Sequence, residues 1–280
     1  MNGNFARTLS VASHPRDNLG LSYVYAVHSR RSGGLSVGIN VNPNKACHYR
    51  CLYCQVEGLK PGKAPDLDAS LLRAELKDFL SEVQREPGGL PFQDIAISGD
   101  GEPTSLRDFE GLIRLIQGVM DDLGLLGKLK VVLLTNGTLL HLPGVLKGIE
   151  LLGSIRGEVW FKLDVASPEG LRLVNSTRVS PLKLYENLSL AAPLCPVWVH
   201  TLCFCLDRRP ILGRPNERQA YLSWLKKARN EGLALRGVML YTMVRPSFQP
   251  EAPGLSAVSR SWLQALALEV RALGLETRVF

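Results

Sequence analysis

N-P-N-K-A-C-H-Y-R-C-L-Y-C-Q, residues 42–55, is the stretch around which the other features of the chain are organised. It places Cys47, Cys51 and Cys54 in a C-x3-C-x2-C array directly after the apolar, alternating run 35–41. Three cysteines this close in sequence cannot all share one face of a strand or a helix. The segment is therefore predicted to be a loop wrapped around a centre that takes soft sulfur ligands, as iron–sulfur clusters do.

The number of cysteines favours a cluster over a structural zinc ion. A [4Fe–4S] cube held by three cysteines keeps one iron without a protein ligand, and that iron is open to chemistry. Structural zinc takes four protein ligands, and no fourth Cys or His stands at finger-like spacing downstream. His48 adjoins Cys47 and would have to fold back on its neighbour to bind the same metal.

The motif C-x3-C-x-aromatic-C, with Tyr53 in the aromatic place, resembles the signature of radical S-adenosylmethionine (radical SAM) enzymes. The resemblance implies that Cys47, Cys51 and Cys54 hold a [4Fe–4S] cluster and that S-adenosylmethionine chelates the fourth iron. It implies reductive cleavage of this cofactor to methionine and a 5′-deoxyadenosyl radical, which abstracts hydrogen from a substrate. A flavodoxin or ferredoxin would supply the electron.

Composition is that of a globular protein, with 45% hydrophobic and 21% charged residues in a chain of 280. No apolar run reaches the roughly 18 residues that span a membrane, and the N-terminus lacks the apolar core of a signal peptide. A cytoplasmic location is therefore predicted. The net charge of +7 would suit an anionic partner such as tRNA, although a modest basic balance more often serves solubility.

Apolar β-rich runs alternate with amphipathic helical runs after residue 34. The predicted strands are 35–41, 94–98, 130–135, 158–164, 197–205 and 237–244, with 276–280 as a candidate last strand. The predicted helices lie near 68–86, 106–124, 141–152, 181–192, 216–231 and 257–273. Strict alternation predicts right-handed βαβ units and a parallel sheet.

Six such units predict an α/β fold, a partial (β/α)6 barrel with parallel strands. The radical SAM core is likewise a partial (β/α)6 barrel, open along one side. Residues 1–34 are predicted to be an irregular lead-in or cap, and 35–250 the core barrel. Residues 251–280 are predicted to be a C-terminal helix and short strand that pack on the core.

Function in such barrels lies at the C-terminal ends of the strands, and these ends are chemically unusual here. S-G-D-G-E-P, residues 98–103, resembles the family's glycine-glycine-glutamate element, which holds the ammonium group of S-adenosylmethionine. Gly99 and Gly101 would let the main chain approach the ligand, and Glu102 would accept hydrogen bonds from its amino group. The structural alternative is a β-turn with a solvated Glu102.

Other strand ends carry further polar candidates for binding S-adenosylmethionine. Thr135 and Asn136 offer groups suited to ribose or carboxylate contacts, although Asn-Gly is also a common turn dipeptide. Lys162 and Asp164 point to one side of a strand and must find a partner, either each other or a polar ligand. The resemblance favours the ligand for this pair. It also places Tyr53 against the adenine through its backbone, unless its ring simply packs the loop.

A second cysteine group, Cys195, Cys203 and Cys205, has two interpretations. Cys203 and Cys205 lie two apart on a predicted strand and share a face, so an auxiliary cluster or a radical-quenching thiol is one. Packing of small apolar thiols in a buried strand is the other, and it is favoured. His200 points away from Cys203 and is not a natural co-ligand.

Over residues 35–250 the motifs look closest to the iron–sulfur oxidoreductase branch related to wyosine-tRNA synthases. The chain lacks any cysteine before Cys47, where those synthases carry ligands of a second cluster. The substrate therefore stays open, and a tRNA or a protein, as for a glycyl-radical-enzyme activase, are alternatives. A non-catalytic electron-transfer protein is disfavoured, because such proteins usually cover every iron with protein ligands.

Overall fold

The computed structural model describes residues 20–85 and 92–280, along which strands and helices alternate. The strands are β1 (Val24–Ser29), β2 (Gly34–Ile39), β3 (Ala46–Cys47), β4 (Lys60–Pro61), β5 (Phe92–Ile97), β6 (Lys130–Thr135), β7 (Gly157–Lys162), β8 (Val197–Leu206), β9 (Arg209–Pro210), β10 (Leu235–Thr242), β11 (Leu255–Ala257) and β12 (Thr277–Val279). The helices are α1 (Ala69–Arg85), α2 (Phe109–Asp122), α3 (Pro143–Ser154), α4 (Pro168–Asn175), α5 (Pro181–Ala191), α6 (Pro215–Asn230) and α7 (Arg260–Ala272).

One large sheet forms the centre of the fold, in the order β1-β2-β5-β6-β7-β8-β10-β12. Every pair from β2 to β12 along this path is parallel, whereas β1 runs antiparallel to β2. Within the described residues no pairing joins β1 to β12, so the sheet does not close into a full barrel. The α/β class and the partial barrel with parallel strands predicted from the sequence are confirmed.

The predicted elements agree closely with the structure. The six core strands, β2, β5, β6, β7, β8 and β10, all begin and end within two residues of their predicted limits. The candidate last strand is also present, as β12, which pairs with β10, and α7 contacts both. Hydrophobic runs of this length between helical patterns are strong signals because a parallel sheet is buried on both faces.

The predicted irregular lead-in is wrong for residues 24–29, which form β1. This strand and β2 make a hairpin whose turn includes Gly33 with a φ of 76°, and Gly33 N donates to Ser29 O at 2.9 Å. The alternating sequence V-Y-A-V fits a strand once β2 lies beside it. Residues 1–19 of the lead-in lie outside the described residues.

Helix α4 has no counterpart among the predicted helices. Ser167 begins it by accepting a hydrogen bond from Gly170 N, Pro168 occupies its first turn, and Ser176 ends it in the left-handed conformation. With only eight residues, the helix is too short for a clear hydrophobic period. Its position against the cysteine loop is nevertheless central to the site.

The two faces of the sheet carry different side chains. The face toward the helices joins the main hydrophobic core, which includes Cys195, Cys203 and Cys205. The opposite, concave face carries a separate apolar cluster, made of Val132, Trp160, Trp198 and Met239. Burial of the three thiols among apolar side chains supports the packing interpretation.

No helix in the part of the chain that the structure describes has the length and apolarity to cross a bilayer.

Glu75 of α1 fixes the beginning of the first strand. Its buried carboxylate accepts hydrogen bonds from the main-chain N–H groups of Ser22 (2.6 Å), Tyr23 (2.9 Å) and Val24 (3.3 Å). Glu75→Ala removes the acceptor for all three, so we expect the free energy of unfolding to fall by about 3 kcal/mol in denaturant titrations. Glu82→Ala, on the same helix, should change it by less than about 0.5 kcal/mol. Equal losses in the two variants would contradict this role.

Candidate active site

The cysteine loop is held on one side by the C-terminal end of α4. Leu52 N donates to Val174 O at 2.9 Å, and Arg50 N donates to Asn175 O at 3.2 Å. Within the loop, Cys54 N donates to Cys51 O at 2.9 Å. These main-chain bonds fix the path of the segment between the second and third cysteines.

The segment after β10 holds the same loop from the other side. Ser247 Oγ lies 2.7 Å from Leu52 O and 3.0 Å from Cys54 O, and Phe248 N donates to Cys54 O at 2.9 Å. Arg50 adds a two-pronged ion pair with Glu251. The loop is therefore attached to two distant parts of the chain that follow different strands.

All three cysteines of the loop are partly exposed and open to one cavity of about 180 Å³. Burial raises the pKa of the Cys47 thiol to about 12 and that of Cys51 to about 11. Donors toward sulfur favour the thiolate: Asn175 Nδ2 lies 3.2 Å from Cys51 Sγ, and Tyr49 N lies 3.4 Å from Cys47 Sγ. A soft metal centre binds such groups as thiolates and displaces their protons.

Glu102 lies in the same cavity wall and is only 2% exposed. Its Oε1 accepts from Thr104 N (3.2 Å), Thr104 Oγ1 (2.6 Å) and Thr135 Oγ1 (2.6 Å), and its Oε2 accepts from Asn136 N at 2.8 Å. The alternative of a solvated glutamate is therefore wrong, because this carboxylate is buried and joins two strand ends. One bond to Oε2 leaves that oxygen able to accept another.

The two glycines of the same segment are required by packing against the chain that leads into the cysteine loop. A Cβ on Gly99 would lie 2.2 Å from Asn40 Oδ1, and a Cβ on Gly101 would lie 2.1 Å from Ala46 O. Any larger residue would push the two segments apart. Because these glycines have no side chains, the segment after β5 can approach the chain that leads into the cysteine loop. Both glycines also line the cavity.

Asn136 is held by its own neighbours. Its Oδ1 accepts from Thr138 N at 3.1 Å and Thr138 Oγ1 at 2.7 Å, while its Nδ2 lies 3.3 Å from His48 Nε2. His48 also contacts Thr138 Oγ1. No role for His48 was predicted from the sequence. In the structure this residue connects the variable part of the cysteine motif to the end of β6.

Lys162, Asp164 and Tyr53 form one connected group, in which Asp164 is buried and the other two are half-buried. Lys162 Nζ lies 3.4 Å from Asp164 Oδ1 and 4.8 Å from the centre of the Tyr53 ring, and Tyr53 donates its hydroxyl to Asp164. Burial lowers the pKa of Lys162, but Asp164, Tyr241 and Cys51 together outweigh burial and hold that pKa above its usual value. Asp164, which is 3% exposed and accepts from Leu202 N at 2.8 Å, lies behind the other two and is not part of the cavity wall.

The structure thus brings all but one of the sequence-predicted residues to a single cavity. Its lining includes the three motif cysteines and Tyr53, Gly99, Gly101, Glu102, Thr135, Asn136 and Lys162. Asn175 also lines it and was missed, because α4 was not predicted and an asparagine 121 positions after Cys54 carries no local signal. Among the described residues no group of three or more His, Cys, Asp or Glu side chains converges to hold a single metal ion. A cube is bound differently, since each thiolate takes a separate iron.

Comparison with known proteins identifies the family. Residues 41–246 match the model of the radical SAM superfamily, and this range includes the cysteine loop and every core strand except β2. The chain belongs to the radical SAM superfamily. Its members are enzymes that typically bind a [4Fe–4S] cluster and S-adenosylmethionine.

Solved structures support the same fold. A radical SAM methyltransferase from Sphaerobacter thermophilus superposes with a TM-score of 0.61 at 15% identity, over 92% of this chain and 68% of that one. The structure of TYW1 with a lysine-pyruvate adduct bound gives a TM-score of 0.52 at 13% identity, over 85% of this chain and 73% of that one. At such low identity these likenesses show the fold alone.

Curated relatives match only in part. A protein named GTPase Obg from Brachyspira hyodysenteriae is 34% identical over 118 residues, which are 41% of this chain and 15% of that protein. A UPF0026 protein from Helicobacter pylori is 28% identical over 147 residues, 51% of this chain and 43% of that protein. The chain therefore matches less than half the length of either relative.

Among the groups that raise the pKa of Lys162, Asp164 has the largest effect, and this can be tested by titration. Since the folded pKa of Lys162 lies above 10.5, its ordinary value, the stability gained from its charge is complete below that pH and is lost as pH rises further. We expect the pKa of Lys162 to fall in Asp164→Asn, because the negative charge that favours the ammonium form is lost while the ammonium group stays desolvated. NMR of the reductively methylated chain measures it, with the signal assigned by Lys162→Arg.

The matched control is Asp66→Asn, which removes an exposed carboxylate paired with Arg107. It should leave the Lys162 signal unchanged. A Lys162 pKa that stays equally raised in Asp164→Asn would show that the carboxylate does not set it.

Proposed function

We propose that this radical SAM enzyme holds a [4Fe–4S] cluster on Cys47, Cys51 and Cys54 and binds S-adenosylmethionine beside it. The observation that carries the proposal is that these thiols and the buried Glu102 carboxylate line one cavity. When bound, the pair would supply a 5′-deoxyadenosyl radical by reductive cleavage, and this radical would abstract hydrogen from a substrate.

The donor set fits the cluster. Three thiols on a loop fixed by main-chain hydrogen bonds are soft ligands, and iron–sulfur centres are held by such thiolates. Asn175 Nδ2 donates toward Cys51 Sγ, and hydrogen bonds to ligand sulfur tune the potential of such clusters. Asn175 is therefore proposed to orient this ligand as well as the loop.

The polar wall fits an amino-acid ammonium group. Glu102 offers an oxygen with remaining acceptor capacity, and Thr135 Oγ1 and Asn136 N hold the carboxylate in place. Within the described residues no cation forms an ion pair with this carboxylate, and a buried carboxylate in that position favours a ligand that brings positive charge. Thr135 and Asn136 are thus proposed to act on the cofactor mainly by positioning Glu102.

Tyr53 and Lys162 are proposed to close the cofactor site on the side of the substrate. Both line the 180 Å³ cavity and a larger neighbouring cavity, so they stand at the boundary between them. Asp164 holds both groups in place from behind. A boundary of this kind keeps water away from a reactive species, which is a task the protein has in cofactor enzymes.

The partners are proposals from the family. A flavodoxin or ferredoxin would deliver the electron, and the reaction would be of the oxidoreductase type in the cytoplasm. A tRNA or protein substrate would need to present one group to a cavity of about 330 Å³. Binding of tRNA would depend on the net charge of +7 and would weaken steeply with salt.

Cys51→Ala tests the cluster against a matched cysteine. After anaerobic reconstitution we expect about four irons per chain in the wild type and formation of 5′-deoxyadenosine with dithionite and S-adenosylmethionine. Cys51→Ala should lose most of the iron and all of the product. Cys203→Ala removes a thiol from the hydrophobic core and should keep the iron. Wild-type protein that carries the cluster but forms no product, with or without candidate substrates, would refute the proposed chemistry.

Glu102→Gln tests the ammonium contact. We expect the affinity for S-adenosylmethionine to fall about tenfold or more, because a charge-assisted hydrogen bond is lost. Equilibrium dialysis of the reconstituted protein measures this. Asp108→Asn, which changes the helix cap of α2 nearby, should bind the cofactor as the wild type does. Unchanged affinity in Glu102→Gln, with iron content equal to that of the wild type, would remove Glu102 from the site.

A further inference from the structure

A second, larger cavity adjoins the proposed cofactor site on the concave face of the sheet. It measures about 330 Å³ and shares Tyr53, Cys54, Gly99 and Lys162 with the surroundings of the first cavity. From there it extends to Trp160 and to the β1–β2 hairpin. A molecule in this cavity would therefore lie next to the proposed source of the radical.

Three rings and one guanidinium form a continuous stack in its wall. His200 lies between Trp160 and Tyr241, with ring centres 5.4 Å and 4.3 Å away and interplanar angles of 25° and 28°. The guanidinium carbon of Arg31 lies 5.0 Å from the centre of the Tyr241 ring and 5.6 Å from that of Trp160. The hairpin thus inserts a cation against the aromatic wall of the cavity.

The histidine does not neutralise this cation. Arg31 Nη1 lies 2.8 Å from His200 Nε2, and because a guanidinium only donates, Nε2 must accept and the imidazole is neutral. Burial, reinforced by the charge of Arg31, holds the pKa of His200 well below its usual value. The proton then lies on Nδ1, which is buried without a hydrogen-bond partner among the described residues.

Charge in the cavity is strongly unbalanced. Its described lining has one carboxylate, that of Asp94, and four cationic side chains. These four are Arg30, Arg31, Lys162 and Arg245. Lys162 is matched by Asp164 and Asp94 is held by Ser32, whereas no carboxylate in residues 20–85 or 92–280 forms an ion pair with Arg31. A half-buried guanidinium without a carboxylate favours an anionic ligand.

We propose that this cavity binds a small substrate through a carboxylate group that pairs with Arg31. The inference rests on the proposed function, since it names the substrate class for the same site. A carboxylate matches both the single charge and the planar fork of a guanidinium. The Tyr241 hydroxyl accepts from Lys162 Nζ at 3.0 Å and can donate its own hydrogen to the second carboxylate oxygen.

The test compares fluorinated acids with their primary amides, which keep the shape and lose the charge. The probes are trifluoroacetate, para-fluorobenzoate and para-fluorophenylalanine, each compared with its amide. Fluorine NMR of each probe, recorded with and without the whole chain, measures binding and does not require catalysis. We expect at least one acid to bind the wild type about tenfold or more tightly than its amide. Arg31→Gln should lose this preference, and Arg31→Lys should keep part of it.

Arg218→Gln is the matched control, because Arg218 also lies over an aromatic ring, Trp262, but on the outer surface with Glu269. It should bind the acids as the wild type does. No binding by any acid, equal binding of acids and amides, or an unchanged preference in Arg31→Gln would overturn the inference. Wild type that makes 5′-deoxyadenosine yet shows no preference for acids overturns this inference alone. Wild type that prefers acids yet makes no 5′-deoxyadenosine overturns the proposed function alone.

Discussion

The site depends on hydrogen bonds that fix the main chain of the cysteine loop from two sides. A loop with no regular structure of its own has unpaired N–H and C=O groups, and here they are satisfied by the end of α4 and by the segment after β10. These two segments are about 70 residues apart in sequence and are brought together by the curled sheet. The position of the three thiols is therefore a property of the whole fold.

A single carboxylate connects two neighbouring strand ends in the same way. Glu102 follows β5, and its hydrogen bonds reach Thr135 and Asn136 at the end of β6. The glycines around it allow the incoming cysteine segment to pack closely, since a side chain at either position would collide with Asn40 or with Ala46 O. The hydrogen bonds that hold the Glu102 carboxylate and the close packing that brings the cysteine segment near it therefore belong to the same short segment, residues 99–102.

Two cations near the site are treated differently by the protein. Lys162 is balanced by Asp164, which also receives the Tyr53 hydroxyl, so this group is complete without a ligand. Arg31 instead rests on neutral rings and on a neutral imidazole. Desolvation of a charge is costly unless a counter-charge is near. Lys162 already has its counter-charge in Asp164, whereas Arg31 would gain one from an anionic ligand. This contrast distinguishes a supporting ion pair from a recognition group.

The sequence alone determined the alternation of strands and helices in the α/β core, because long buried strands between amphipathic helices have strong periodic signals. It also determined the cysteine motif and the acidic and polar strand ends, since their chemistry is local and the carboxyl ends of parallel strands meet at one edge. The tertiary structure decided the rest. Asn175, His48 and Arg31 act through partners distant in sequence, and Asp164 faces protein groups because the folded neighbours of Lys162 and Tyr53 surround it. Such contacts follow from packing, which no local pattern encodes.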